Sequence, residues 1–566
     1  MKIVSIENMR SIEAAADAGG LTYDMMMENA GWAAAELALD MLSDIKDASA
    51  IILIGAGNNG GDGLVAARHM VKNGVRVICY MLKPRNKSDQ HFVAAQASGV
   101  LFEYAAEDKN QDTLHQLIVK ANLVIDALFG IGVRLPIRGN AAKLLQCANQ
   151  AVTERKQSTP EQITVCPEDP GKSPYSASQR ILAIDCPSGL DCDSGQLDKN
   201  AIHADETITF IAAKPGLLIF PAAAAVGKLH ITNIGVPDDL QEIQESQWEI
   251  VTPHITKNLL PQRPTDSHKG TYGKALIIAG SVNYTGAPGL AAESAYRAGA
   301  GLVTVGAPAP VIGGLSSRLP EPTWLMLAHD MGVISEKAVK LALEQMDGYN
   351  ALLIGPGLDQ EETTGNFVEQ LLQQPKNVNS QKRRSLGFGT APQEEEEESE
   401  QAQLPPLVID ADGLNLLSKI DKWWDMLPEG TIITPHPGEM SRLTGIATSE
   451  IQSNRWEIAA EKAKEWNIIL MLKGAHTLVA APDGRISALP FKTDSLATAG
   501  TGDILAGLIV GLLAQGMKPF AATVVGGYVH GLAGEMAKKI YGSGRGVIAG
   551  DVLSAIPSTW NIIESY

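Results

Sequence analysis

Two series of short apolar segments, each followed by a Gly-rich turn and a helical pattern, constrain this chain more than any other feature. The first series runs Ile51–Ile54, Val75–Met81, Leu123–Ile125, Ile181–Ile184 and Thr207–Ile211. The second runs Ala275–Ile278, Leu302–Val305, Ala351–Ile354, Leu407–Ile409, Thr431–Ile433 and Ile468–Leu472. Strands that alternate with helices build right-handed βαβ units and mostly parallel sheets. The expected fold is therefore α/β, as two layered sandwich domains. At 566 residues the chain has room for both. The polar, Pro-punctuated stretch at about 237–265 separates the two series, which predicts domains over 1–240 and 250–566. Two polar stretches, about 152–179 and about 374–406, are read as surface insertions within these domains. The second carries the acidic run Glu394–Glu398 plus Glu400.

Composition narrows the function classes. Lys and Arg number 46 against 64 Asp and Glu, a formal net charge of −18, which disfavours a phosphate-neutralising nucleic-acid binder. No apolar run reaches the roughly 20 residues of a membrane-spanning helix, and the first residues lack a secretory pattern. The five cysteines, Cys79, Cys147, Cys166, Cys186 and Cys192, are odd in number and form no C-x-x-C pair. A disulfide framework or zinc site is not expected, and a reducing cytoplasm is.

In the first half, IILIGAGNNGGDGLVAARHM reads as a buried strand, a turn over Gly55–Gly63 and a helix from Leu64. Glycines there let backbone N–H groups approach an anion at a helix start. Gly55-x-Gly57-x-x-Gly60 matches the dinucleotide fingerprint, but no acid ends the next strand (Tyr80-Met81-Leu82-Lys83), so an ordinary NAD dehydrogenase is not favoured. Asp62 also stands where a phosphate would want no carboxylate. Two more strands end in aspartate, at Asp126 and Asp185, and strand C-termini form the ligand crevice of open parallel sheets. Asn59, Asp126 and Ser188 supply only hard oxygens, which suit an alkali or alkaline-earth cation.

The motifs MMENAG, GNNGGDG, DALFGIGVRLPIRG and DCPSGLD together resemble the NAD(P)H-hydrate epimerase family. The resemblance implies a Rossmann-like fold that interconverts the R and S hydrates of NADH and NADPH. It implies hydrate contacts from Asn58, Asn59, Gly60, Gly61 and Asp62 and from Gly130, Ile131, Gly132, Val133, Arg134, Leu135 and Pro136. It further implies K⁺ on Asn59, Asp126 and Ser188, with Asp185 at the nicotinamide end. Epimerisation needs proton transfer, and Asp185 is the candidate acid/base.

In the second half, LATAGTGDILAGLIVGLLA places Gly500-Thr501-Gly502-Asp503 before an apolar helix. Successive N–H groups at such a helix start form an anion hole for a transferring phosphoryl group. Asp503 beside it is placed to take a proton from a substrate hydroxyl. Lys473-Gly474-Ala475-His476-Thr477 follows a strand and is suited to phosphate or ribose contacts. No GxxxxGK[ST] pattern is present, so a P-loop NTPase is disfavoured.

HKGTYGKALIIAGS, YTGAP, AGAGLVTV, IGPGL, VIDADGLNLL, TPHPGEMSRL, KGAHT and GTGD, in that order, resemble the ADP- or ATP-dependent NAD(P)H-hydrate dehydratases of the ribokinase-like superfamily. The resemblance implies S-hydrate contacts from Ala287, Gly357, His436 and Asp503. It implies adenine-nucleotide contacts from Lys473 to Thr477 and from Gly502, with Mg²⁺ bridging the phosphates. Two positions depart from the family pattern. Asp359 stands where IGPGLG-type sequences have glycine, and the loop before Leu496 reads KTDS rather than a Gly/Pro-rich turn. Both bear on substrate affinity. The order of the two halves is similar to that of bacterial bifunctional hydrate-repair fusions, which implies ADP as the usual nucleotide and a homo-oligomer. Two alternatives stay open from residues alone. One is a ribokinase-like small-molecule kinase fused to a Rossmann-like domain. The other is a nucleotide-sensing protein without turnover.

Overall fold

The computed structural model describes residues 1–43, 46–86, 88–157, 179–373 and 404–566. Most of both polar insertions, the acidic run and Cys166 lie outside the described residues. The chain forms two compact units, Met1–Glu249 and Ile250–Tyr566.

The first unit is built on seven strands: β1 (Ser49–Ile54), β2 (Arg76–Met81), β3 (Leu101–Tyr104), β4 (Leu123–Ala127), β5 (Arg180–Ile184), β6 (Glu206–Phe210) and β7 (Lys228–Thr232). All neighbours pair parallel, in the order β3-β2-β1-β4-β5-β6-β7. The chain steps outward from β1 to β3, then returns to place β4 on β1's other side. That reversal opens a crevice at the C-terminal ends of β1 and β4, the expected place for a ligand. The central strands are apolar on both faces because helices cover both sides of the sheet. β3 and β7 were not read from sequence. They are edge strands with half-exposed residues, so no continuous apolar run marks them.

The Gly-rich segment differs from its sequence reading. After helices α1 (Ile6–Ala18) and α2 (Tyr23–Leu42), helix α3 spans Asn58–Lys72 and begins six residues before Leu64. Glycine propensity argues against a helix there, but tertiary packing overrides it. A Cβ on Gly60 would lie 2.1 Å from the Gly55 carbonyl oxygen, so only glycine lets this first turn pack against the end of β1.

In the second unit the sheet order is Thr323–Leu327, Leu302–Pro308, Lys274–Ile278, Ala351–Ile354, Leu407–Ile409, Ile432–Ile433, Ile469–Leu472, Leu478–Ala480 and Ile486–Ala488. The first seven pair parallel and the last two antiparallel. The antiparallel pair and the strand Thr323–Leu327 were not read from sequence; each is a short segment without a following helix pattern. The helix Thr501–Ala514 is buried from Ile504 to Ala514. A Cβ on Gly507 would sit 2.0 Å from Ser294 Oγ, so the glycine spacing of this helix seats it against the helix Ala287–Arg297. Its N-terminus is thereby fixed at the C-terminal edge of the sheet. Among the described residues no helix is long and apolar enough to cross a membrane.

Candidate active sites

In the first unit, Asp126 sits in β4 opposite Leu53 of β1 and is fully buried. Its Oδ1 accepts from Ser188 Oγ at 2.6 Å and from Leu128 N at 3.2 Å, and its Oδ2 from Ser188 N at 2.7 Å. Burial nevertheless pushes its pKa up to about 6, against the pull of these bonds. Ser188 Oγ also accepts from Phe129 N at 3.0 Å, tying the β4 and β5 loops together.

Asp185 follows β5 with φ +66°, a left-handed geometry that turns its carboxylate into the crevice edge. Its Oδ2 accepts from Ile131 N at 3.1 Å, and a Cβ on Gly130 would stand 2.7 Å from that oxygen. The same Cβ would be 3.4 Å from Asn59 Cβ, so Asn59, Gly130 and Asp185 meet at one point. Asn58 is exposed at the start of α3, whereas Asn59 is 7% exposed. From Ile131 to Pro136 the loop alternates half-buried and exposed residues, with Ile131, Val133 and Leu135 inward and Gly132, Arg134 and Pro136 outward. A cavity of about 330 Å³ lies against Leu135, Pro136, Gln196 and Lys199.

Lys214 was not anticipated from sequence. It is 1% exposed and its ammonium donates to Asp185 Oδ1 at 2.9 Å and to Thr209 Oγ1 at 2.6 Å. Burial disfavours its charge, but the neighbouring Asp185 outweighs this and its pKa lies above the ordinary value. The preceding strand, Glu206–Phe210, is buried throughout but carries Glu and Thr, so no uninterrupted apolar run marked the lysine that follows it. Glu13 of α1 joins this group: burial first, then Asp185, raise its carboxyl. Burial first, then Asp185 and Glu13, push Asp62 well above the carboxylate range. The carboxyl that looked unsuited to a phosphate site therefore sits in a buried acidic group with Asp185 and Glu13, which disfavours its charge.

Both polar atoms of the Asn59 side chain are buried without a hydrogen-bond partner, a condition that costs about 1–3 kcal/mol per group. An oxygen-seeking cation would satisfy the amide oxygen. With Asp126 and Ser188 Oγ close to the same loops, the donor set fits K⁺.

In the second unit, Gly500 (φ +91°) turns the chain into the helix start, where no side chain caps the N–H groups. Asp503 is in the first turn. Burial, then the nearby Asp410, raise its carboxyl to about 7, while Lys473 draws it down. Asp410 ends the strand Leu407–Ile409 and is 1% exposed. Its Oδ1 accepts from Lys473 Nζ at 2.8 Å and from Thr434 Oγ1 at 2.7 Å. A Cβ on Gly502 would be 3.8 Å from both Asp410 Oδ2 and Lys473 Nζ. The loop Lys473–Thr477 and the helix start thus share one ion pair.

Within that loop Gly474 and Ala475 are exposed. Thr477 Oγ1 donates to Gly474 O at 2.7 Å. His476 is buried, and burial lowers its pKa to about 4, so it is neutral. His436 is an N-cap: its Nδ1 accepts from Gly438 N at 3.0 Å and Glu439 N at 3.3 Å. Burial and then Lys473 lower its pKa, and the two bonds accepted by Nδ1 assign the ring proton to Nε2. Glu439 was not anticipated. Burial raises it to about 7, and it faces Lys473 at 3.8 Å. Ala287 and Gly357 are brought together: a Cβ on Gly357 (φ +64°) would lie 3.1 Å from Ala287 Cβ and 2.6 Å from Tyr284 Cβ.

The fold and the two strand-end sites define a two-domain α/β protein with an uncapped helix start beside a buried ion pair in its second half. Residues 23–216 match the family described as YjeF-related protein N-terminus, and residues 275–378 and 386–558 match that described as NAD(P)H-hydrate dehydratase. The bifunctional NAD(P)H-hydrate repair enzyme Nnr of Moorella thermoacetica is 34% identical over 95% of this chain and 93% of its own length. That of Thermofilum pendens is 31% identical over 95% and 92%. A solved Bacillus subtilis ADP/ATP-dependent NAD(P)H-hydrate dehydratase, co-crystallised with ATP/Mg²⁺, is 31% identical over 56% of this chain and 99% of its own, with a TM-score of 0.45. The chain belongs to the family of bifunctional NAD(P)H-hydrate repair enzymes.

Proposed function

We propose that the two units carry two consecutive steps of one repair: epimerisation of R and S NAD(P)H hydrates, then nucleotide-dependent dehydration of the S form. The observation that carries the dehydratase reading is Asp503, poised at about 7 in the first turn of an uncapped helix and beside the Lys473–Asp410 pair. A base near neutrality is suited to take a hydroxyl proton, and a bare helix start is suited to a transferring phosphoryl group.

Hydroxide is a poor leaving group from the hydrated ring. Asp503 takes the hydroxyl proton as that oxygen attacks the terminal phosphorus of ADP, and AMP departs. The new C–O–P ester then breaks at carbon, phosphate leaves with the bonding pair, and the adjacent carbon gives up a proton to restore the ring double bond. The sum is hydrate plus ADP giving NAD(P)H, AMP and phosphate. Gly502 and Lys473 to Thr477 hold the nucleotide. Ala287, Gly357 and the Nε2 side of His436 line the hydrate pocket. Asp410 Oδ2, facing Gly502, is the carboxylate oxygen that would hold Mg²⁺, which when bound would offset the charge of the nucleotide phosphates.

In the first unit the hydroxylated carbon must lose and regain oxygen on opposite faces. Asp62, whose charge burial and then Asp185 disfavour, is placed to give a proton to the departing hydroxyl, and Asp185, ion-paired to Lys214, to take one from the returning water. The loops Asn58–Asp62 and Gly130–Pro136 enclose the hydrate. Asn59, Asp126 and Ser188 would hold K⁺, which when bound would supply a fixed positive charge at the crevice. The assembly is proposed to be a homo-oligomer in the cytoplasm.

A mixture of R and S NADH hydrate with Mg²⁺, K⁺ and ADP tests this. Return of dihydronicotinamide absorbance from both epimers supports it. A stable phosphorylated product with no recovered absorbance would instead indicate a small-molecule kinase.

A further inference from the structure

Asp359 has φ +71°, the region where glycine is unstrained, yet the position carries a side chain that is engaged on every side. Its Oδ2 accepts from Asn283 Nδ2 at 2.8 Å. Its Oδ1 accepts from Gln360 N at 2.8 Å, and its own N–H donates to Asp412 Oδ2 at 3.0 Å. Asp412 in turn accepts from Gln360 Nε2 at 3.2 Å, and its charge is among those raising Asp503. The residue therefore bridges the strand-end acids and the loop before the helix Ala287–Arg297.

That loop carries Tyr284, which is 53% exposed with its Cβ over Gly357. Val282 beside it donates its N–H to Gly332 O at 2.9 Å, and Val282 and Met331 are also exposed. An aromatic ring with two apolar neighbours therefore stands uncovered next to the pair Ala287–Gly357.

We propose that the Asn283–Asp359 hydrogen bond latches the loop 282–286 in place so that the Tyr284 ring forms a flat wall of the hydrate pocket, stacking on the hydrated nicotinamide ring. This rests on the dehydratase reading above. Asp359 is a positioning residue that acts through Asn283; Tyr284 is the contact.

Asp359→Gly removes the latch and relieves the backbone strain together, so loss of folding does not confound it. Steady-state kinetics of the full chain with S-NADH hydrate should show KM for hydrate rising about threefold to tenfold, the range of one lost hydrogen bond. kcat and KM for ADP should stay within about twofold. Asp359→Asn tolerates the backbone and keeps one acceptor oxygen for Asn283, but its amide cannot also accept from Gln360 N–H, so its hydrate KM should fall between those of wild type and Asp359→Gly. Asn283→Ala should match Asp359→Gly, and the double variant should be no worse than either. Tyr284→Leu, which removes the ring, should raise the hydrate KM more than Tyr284→Phe, which keeps it. An unchanged hydrate KM in Asp359→Gly, or equal rises for hydrate and ADP, would overturn the proposal. If the wild type turns over no hydrate with any nucleotide, the functional reading itself fails. Calorimetric binding of NADH hydrate to wild type and Asp359→Gly then decides the latch separately: weaker binding in the variant supports it, and equal or absent binding in both overturns it.

Discussion

The ammonium of Lys473 lies 2.8 Å from Asp410 Oδ1, and this one contact joins the loop Lys473–Thr477 to the strand end that faces the helix start of Asp503. Asp410 raises the Asp503 carboxyl and Lys473 lowers it. Burial is the largest influence on the proposed base, and the pair that anchors the Lys473–Thr477 loop adjusts it further.

Asp503→Asn should abolish nucleotide-dependent dehydration, a loss of at least about a hundredfold for a general base. Epimerisation should be intact. Separate assays, chromatographic R/S exchange and absorbance recovery, check this. Loss of both activities in a folded variant would contradict the division of labour.

The pH profile of dehydration should rise through about pH 7 as Asp503 ionises. Asp410→Asn removes the charge that raises Asp503, so the acidic limb should move to lower pH. Lys473→Met removes the charge that lowers it, so the limb should move up. Stability follows the opposite course. Asp503 binds a proton in the folded protein up to about 7, whereas an unfolded carboxyl has lost it above its ordinary value near 3.8. Folding is therefore progressively weakened as pH rises between these values. Asp503→Asn should consequently have a higher Tm than wild type at pH 8 and a smaller advantage at pH 5, measurable by calorimetry.

Lys214→Met should stop epimerisation while S-hydrate is still dehydrated with ADP. It leaves Asp185 without its cation, and breaking a largely buried pair costs about 3–5 kcal/mol. The pairing of Lys214 with Asp185 predicts that the double variant Lys214→Met/Asp185→Asn regains much of that stability without regaining activity. Thermal unfolding and R/S exchange together check both.

Ser188→Ala should weaken the response of epimerisation to K⁺. It removes one donor oxygen and the 2.6 Å bond to Asp126. A K⁺ titration against a Na⁺ background should shift to higher concentration by about tenfold or more. An unchanged titration would remove Ser188 from the cation site.

Much of this was legible in sequence, for identifiable reasons. Buried parallel strands read as plain apolar runs, so β1, β4 and β5 stood out, together with the aspartates at the ends of β4 and β5. The glycine motifs stood out because the backbone passes too close for a Cβ. Pairings across the fold did not stand out. Lys214 looks like any lysine until β6 and the following turn carry it to Asp185, 29 residues away in sequence. Glu439 was not read from sequence; in the fold it completes the cap of its helix, accepting from His436 N at 2.8 Å. Its second role beside Lys473 comes only from the sheet order. The start of α3 was misread because packing, not propensity, sets it.

The most direct test is a progress curve with equal R and S NADH hydrate, K⁺, Mg²⁺ and either ADP or ATP. The account predicts nucleotide-dependent recovery of dihydronicotinamide from both epimers to completion, and recovery of only the S form in Lys214→Met. Recovery that stops when the S form is spent in the wild type would contradict the epimerase assignment, and no recovery with either nucleotide would contradict the account as a whole.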